Sequence, residues 1–185
     1  MAGSASTNKQ QFWQLIEAAR NQASNPNDGE AVAREATSLL ASRPVEEIVA
    51  AEQVLWDLMV DSYSNPLWAA AYLANGGCSD DGFDYFRGWL IAQGCEVFER
   101  VVADPDALAE LPIVQASAAD GVDLEGEGML GIAWNAHISA TGDQLPASPR
   151  LHPHRTSAPG PRRCGRHGRS RGPHALRLPP APSAA

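Results

Sequence analysis

Leu67–Phe98 reads LWAAAYLANGGCSDDGFDYFRGWLIAQGCEVF. Upstream, Asn65-Pro66 marks a helix start, because proline lacks only an N–H that a first turn leaves unpaired. The spacing predicts a short helix through Leu67, Trp68, Ala71 and Tyr72. Asn75-Gly76-Gly77 stops it, since glycine reaches positive φ without a Cβ clash. Ser79 or Asp80 can cap a second helix, which the pattern carries to about Val102. Phe83, Phe86, Leu90 and Val97 mark its inner face, and Tyr85 and Trp89, four apart, share a second face. Gly88 and Gly94 each cost an isolated helix about 1 kcal/mol. Close contact with another helix is an ordinary reason to keep them.

The same logic extends outward. Thr7 or Asn8 caps a first helix to about Ala23, with Phe12, Leu15, Ile16 and Ala19 on one face. Ser24–Gly29 breaks the chain. Glu30–Ala41 forms a second helix with Val32, Ala36, Leu39 and Leu40 inward. Pro44 opens a third, to about Tyr63, whose first-turn acids Glu46 and Glu47 suit the positive end of the dipole. Its stripe is Val45, Ile48, Val49, Leu55, Leu58 and Met59. Asp104-Pro105 starts a short helix ending near Leu111-Pro112. Pro112–Val114 has some strand flavour, and Gln115–Gly128 reads as an acidic loop. A last helix spans roughly Met129–Ala140, with Leu130, Ala133, Trp134 and His137 near one face. The fold class is all-α: a compact multi-helix domain over residues 8–146.

The chain has 185 residues and a formal net charge of -8, but the charge is unevenly placed. All 22 acids and only 6 basic residues precede Gln144, a net of -16. The remaining residues carry 8 Arg, no acid and no aromatic, with 9 of the 14 prolines. Such a stretch cannot build a core, so 147–185 is expected to be a disordered Pro/Arg-rich tail. Its composition also matches GC-rich DNA translated out of frame. Read as a functional arm, it gives at most weak, non-specific nucleic-acid binding, because it lacks stacking aromatics. The acidic body repels nucleic acid and anionic membranes. No segment has the roughly 20 apolar residues of a membrane span. The N-terminus lacks the apolar core of a signal peptide. Three cysteines make no closed disulfide framework, which points to the reducing cytoplasm.

The densest polar cluster is Cys78, Ser79, Asp80, Asp81, Asp84 and Arg87. Asp80 and Asp84 are i,i+4 and can share a face suited to a hard cation. Asp84 and Arg87 can pair on the surface. The plainer reading is capping, first-turn acids and a satisfied arginine. Cys78 could act as a nucleophile at a helix N-terminus, but it lacks a nearby base; the one histidine before residue 144 is His137. Cys78, Cys95 and His137 lack the close-paired spacing of a zinc site, so no metal and no cofactor are expected. Trp68, Tyr72, Tyr85 and Trp89 form a candidate aromatic seam: core if buried, interaction patch if exposed. Asp120, Asp123, Glu125 and Glu127 form a solvated acidic run. Walker, GxGxxG, HExxH and GxSxG motifs are absent.

Phe12-Trp13 with Leu15-Ile16, Leu67-Trp68 with Ala70-Ala71-Tyr72, Asn75–Phe83, Tyr85–Ile91, Asp104-Pro105-Asp106, Thr141-Gly142 and Leu145-Pro146 together resemble the bacterial DUF4240 family. The resemblance covers roughly residues 9–146. It implies an intracellular, mainly helical domain with no established catalytic assignment. The sequence departs from the family pattern at Cys95, Gly131 and His137, which predicts looser packing at the domain's end. The functional expectation is an interaction module for an unknown protein or small-molecule partner. The alternative is an enzyme or cation-dependent binder using the Cys78–Arg87 cluster.

Overall fold

A computed structural model describes residues 2–145, with side chains from residue 8 onward. All of these belong to the first of two units, Met1–Leu151. The expectation for 147–185 falls outside the described residues. Eight α-helices follow one another: α1 (Ala2–Gln22), α2 (Gly29–Ala41), α3 (Val45–Asp61), α4 (Asn65–Ala74), α5 (Asp80–Ala92), α6 (Cys95–Ala103), α7 (Pro112–Asp120) and α8 (Ile132–Thr141). Two 3₁₀ segments, Pro105–Glu110 and Glu127–Gly131, precede α7 and α8. Among the described residues there is no strand, so the domain is all-α. No described helix is long and apolar enough to cross a membrane.

Side-chain caps mark four of the helix starts. Asp28 Oδ1 accepts from the Glu30 and Ala31 amides at 2.9 and 3.3 Å. Ser64 Oγ accepts from Leu67 at 3.3 Å, and Ser79 Oγ from Gly82 at 3.1 Å. Asp104 accepts from Asp106 at 3.2 Å. Each such bond satisfies an amide that the helix cannot pair internally. The first helix departs from expectation, for it begins at Ala2 rather than at a Thr7 or Asn8 cap.

Apolar faces then dictate the packing. α1 lies on α2 and α3, α8 packs on the same two helices, and α5 meets α2, α3 and the second 3₁₀ segment. Phe12, Leu15, Ile16 and Ala19 are all buried, as their spacing predicts. α5 is different. Residues 86–94 are buried without interruption, so α5 has no solvent face along its second half, as a central helix requires.

Several expected boundaries shift. The helix expected from Ser79 to Val102 is two helices. Gly94, at φ 93°, turns the chain between them, a conformation that L side chains rarely adopt. A Cβ there would also collide with the Glu17 carboxylate. Pro112–Val114 begins α7, not a strand, because Leu111-Pro112 supplies an extended residue followed by a first-turn proline. Residues 115–120, read as loop, continue that helix. The last helix starts at Ile132 after a 3₁₀ turn, and Trp134 points outward at 40% exposure. Val45, expected in the apolar stripe of α3, is likewise exposed, in the first turn of that helix. The domain's end is not loose. Ile132, Ala133 and Ala136 are fully buried, and His137 Nδ1 sits 3.0 Å from the Asp143 carbonyl oxygen.

The segment after α7 closes over α5. Leu124 is buried, and Asn75 holds its main chain at both ends, accepting from its amide at 3.0 Å and donating to its carbonyl at 3.4 Å. The Gly126 amide donates to the Tyr85 carbonyl at 3.0 Å. Gly88 fits beneath, and a Cβ on it would meet the Gly126 carbonyl oxygen. The obstruction is main chain on both sides, so no side-chain rotation relieves it. Gly88→Ala should therefore destabilise the domain by about 1–3 kcal/mol, despite the better helix propensity of alanine. Urea unfolding followed by circular dichroism measures this; an unchanged midpoint would contradict the contact.

Candidate functional site

The polar cluster at the start of α5 assembles around Arg87. Its side chain is 5% exposed. It pairs with Asp84 one turn earlier, donates to the Met59 carbonyl in the last turn of α3, and donates to Phe83 O at 3.4 Å. Met59 O is among the carbonyls that a helix C-terminus leaves without an internal partner. Ser62 Oγ donates to Leu58 O at 2.7 Å and so completes the same end. The guanidinium lies over the rings of Tyr63 and Phe83, 4.9 and 4.7 Å from their centroids. Desolvation pulls the Arg87 pKa below its ordinary value, and the charge and hydrogen bond of Asp84 oppose that shift. The expected Asp84–Arg87 pair is present, but its arginine is buried, not on the surface.

The remaining acids have plainer surroundings. Asp80 and Asp81 are exposed in the first turn of α5, next to the Ser79 cap. Asp84 is committed to Arg87. Among the described residues, no three His, Cys, Asp or Glu side chains come together as a group that could hold a metal ion.

Cys78 is half-buried, and its thiol faces the Ser79 carbonyl at 3.7 Å. Burial raises its pKa, the Glu125 carboxylate adds to that, and Arg87 opposes it. The thiolate is disfavoured, the reverse of what an activated nucleophile needs. Cys95 shows the same direction, from burial and then Glu99.

Of the four aromatic residues, Trp68 and Trp89 are joined through Phe83 and Phe86, with successive ring centroids 4.9, 6.5 and 5.6 Å apart. Trp89 is core, and its Nε1 donates to the Asn27 carbonyl at 3.2 Å. Tyr85 lies near Glu127, whose charge and hydrogen bond are among the causes that raise its pKa. Trp68 and Tyr72 stay together on α4. Trp68 stacks on Phe83 at 4.9 Å between centroids and 13° between planes. Its Nε1 donates to Cys78 O at 3.3 Å. Tyr63 joins edge-on, 6.0 Å from Trp68. Tyr63 is 46% exposed, Tyr72 55% and Leu73 81%.

Tyr63 and Trp68 thus form a partly exposed ring pair on the buried Phe83, and Asp61, two residues before Tyr63, lies 3.9 Å from the Lys9 ammonium. Sequence reading missed Tyr63 and Leu73. Tyr63 was placed only as a helix end, and Leu73 falls outside the stripe that buries α4. A usable signal was present nonetheless: residues 44–86 contain eight acids and no Lys, Arg or His. A second concavity was also missed. Lys9, Trp13, Glu17, Cys95 and Glu99 help line an open depression of about 710 Å³ between α1 and α6.

Two measurements follow from this geometry. Asp84→Asn removes a charge-assisted bond from a buried guanidinium and should cost about 1–3 kcal/mol. Asp80→Asn should cost at most about 1 kcal/mol, the scale of a first-turn acid. Chemical denaturation of both variants checks this, and equal losses would contradict the assignment. In a chain carrying Cys95→Ser and Cys164→Ser, Cys78 should alkylate at neutral pH more slowly than an unstructured peptide thiol. Its rate should still be climbing past the ordinary thiol pKa of 9.0; a rate already saturated at neutral pH would refute the raised pKa.

No curated protein and no solved structure matches this chain. The family model described as "Protein of unknown function (DUF4240)" matches residues 7–138. That match spans most of the helical domain, from α1 into α8, and agrees with the resemblance carried by the central Leu67–Phe98 segment. This chain belongs to the DUF4240 family.

Proposed function

We propose that the domain is a protein-interaction module whose contact face is α4 together with the end of α3. The carrying observation is the exposure of Tyr72 and Leu73 on α4, the helix that also bears the half-buried Trp68, and of Tyr63, which packs edge-on against Trp68. Scattered apolar residues are normal on a protein surface, whereas contiguous ones mark contact sites. The stack of Trp68 on Phe83 and its bond to Cys78 O hold the ring in place. A partner would therefore meet a preordered surface and lose little entropy in fixing it. Aromatic side chains of this kind commonly anchor interfaces. The acids of the cluster form the rim of this face in such a reading. Cys78 and Cys95 are free thiols, which fits the cytoplasm as the site of action.

A second reading is a small-ligand site in the depression between α1 and α6. Its volume of about 710 Å³ suits a small molecule. Trp13 Nε1, on its lining, is buried without a hydrogen-bond partner, and such a donor is costly to leave unpaired.

The double variant Tyr72→Ala/Leu73→Ala separates the two readings. Both residues are exposed, so unfolding should change by no more than about 0.5 kcal/mol per site. Proteins that copurify with the wild-type chain from its own cells should be lost from the variant, as quantified by mass spectrometry. Full retention of those proteins by a folded variant would sink the α4 face as the contact surface.

A further inference from the structure

We propose that Asn75-Gly76 is a self-modification site, and that converting Asn75 to aspartate or isoaspartate releases the 121–126 segment from the end of α4. This is the one Asn-Gly pair in the chain. An asparagine amide followed by glycine is open to attack by the next main-chain nitrogen, because glycine has no Cβ to hinder ring closure. The Gly76 nitrogen gives its proton to solvent and bonds to Asn75 Cγ. The bond from Cγ to Nδ2 breaks, the departing nitrogen takes up a proton, and ammonia leaves a succinimide behind. Water then opens either ring carbonyl, which gives aspartate or isoaspartate. Water is the only co-reactant; nothing is oxidised or reduced.

The fold sets both when this happens and what it does. Gly76 is exposed at φ 65°, with open space where a Cβ would lie, so solvent has access and the chain has room to turn. Ring closure needs the Gly76 nitrogen on the Cβ side of the Asn75 Cα–C bond. At ψ 5° it eclipses the Asn75 nitrogen instead. The side chain is held as well: Oδ1 accepts from the Leu124 amide at 3.0 Å, and Nδ2 donates to the Leu124 carbonyl at 3.4 Å. Closure therefore waits for this clasp to open. Once formed, the product cannot restore it. An ionised carboxylate only accepts, so an oxygen replaces the donor that faced the Leu124 carbonyl. The new charge also sits at the C-cap of α4, the negative end of the helix dipole, opposite a residue flanked by Asp123 and Glu125. Isoaspartate further lengthens the main chain by a methylene group. Leu124 is the buried anchor of the segment, and Gly126 beyond it bonds to Tyr85 and covers Gly88. Loss of the clasp thus reaches α5, and each conversion is a one-way record of an opening.

The test incubates the full chain in mildly alkaline buffer and follows Asn75 by peptide mapping that separates asparagine, aspartate and isoaspartate. The folded chain should convert at least about tenfold more slowly than the chain in urea, as expected where reaction requires a local opening. Leu124→Ala removes the anchor and should convert faster than the wild-type chain. If that variant does not fold, the wild-type chain in urea below its unfolding transition takes its place, with the same acceleration expected. Amide hydrogen exchange reads the consequence. In the aged, converted chain and in Asn75→Asp, the Leu124 and Gly126 amides should exchange at least about tenfold faster, while the amides of α2 keep their protection. Equal conversion in the folded and the urea-unfolded chain would overturn control by the clasp. Unchanged protection of Leu124 and Gly126 after conversion would overturn the release, and so would an equal loss of protection across α2. No conversion at Asn75 even in urea would remove the site itself.

Discussion

Burial of α5 on all sides from Phe86 onward is the constraint on which the other elements depend. A helix with no solvent face must be enclosed by its neighbours, and each neighbour here meets a different demand of its sequence. The main chain at Gly88 is covered by the main chain at Gly126, which draws the 121–126 segment across the domain. Phe86 and Trp89 are buried in the interior, and α5 packs on α2. Arg87 cannot be enclosed as a bare charge, because desolvating an unpaired cation costs several kcal/mol. It is accommodated by Asp84, by the carbonyl-rich end of α3 and by two ring faces.

That accommodation links the core to the surface. The ring over which Arg87 lies, Tyr63, is also the ring that packs edge-on against Trp68. Phe83, the other ring beneath the guanidinium, is the one on which Trp68 stacks. Trp68 therefore rests on a fully buried ring. Asp84 pairs with Arg87, and Asp80 and Asp81 occupy the first turn of α5 beside a serine cap. Cys78 offers its carbonyl to Trp68, while its thiol is held toward the protonated form.

Much of the fold was legible because caps and apolar spacing are local. Asp28, Ser64, Ser79 and Asp104 each satisfy amides two or three residues ahead, so helix starts could be read from short words. The stripe in α1 was correct for the same reason. The Gly94 break was not legible. An isolated glycine inside a periodic pattern is tolerated in many helices, and the Glu17 carboxylate that crowds this one belongs to α1. The strand flavour of 112–114 was misleading because β-branched residues there sit behind a first-turn proline and continue as helix. The row of rings that joins Trp68 on α4 to Trp89 on α5 runs through Phe83 and Phe86, a contact not legible in sequence because sequence does not fix the angle between two helices.

The sequence by itself determined an all-helical, strongly acidic domain and its family, since composition, capping words and a long specific motif are properties of the chain alone. It also contained the unbroken acidic run from 44 to 86. Tertiary structure decided which of those residues matter together. It buried Arg87, joined Trp68 to Trp89 through Phe83 and Phe86, and brought Tyr63 from the end of α3 against Trp68. Those outcomes turn on desolvation and on ring contacts between separate helices, which arise only when the elements pack.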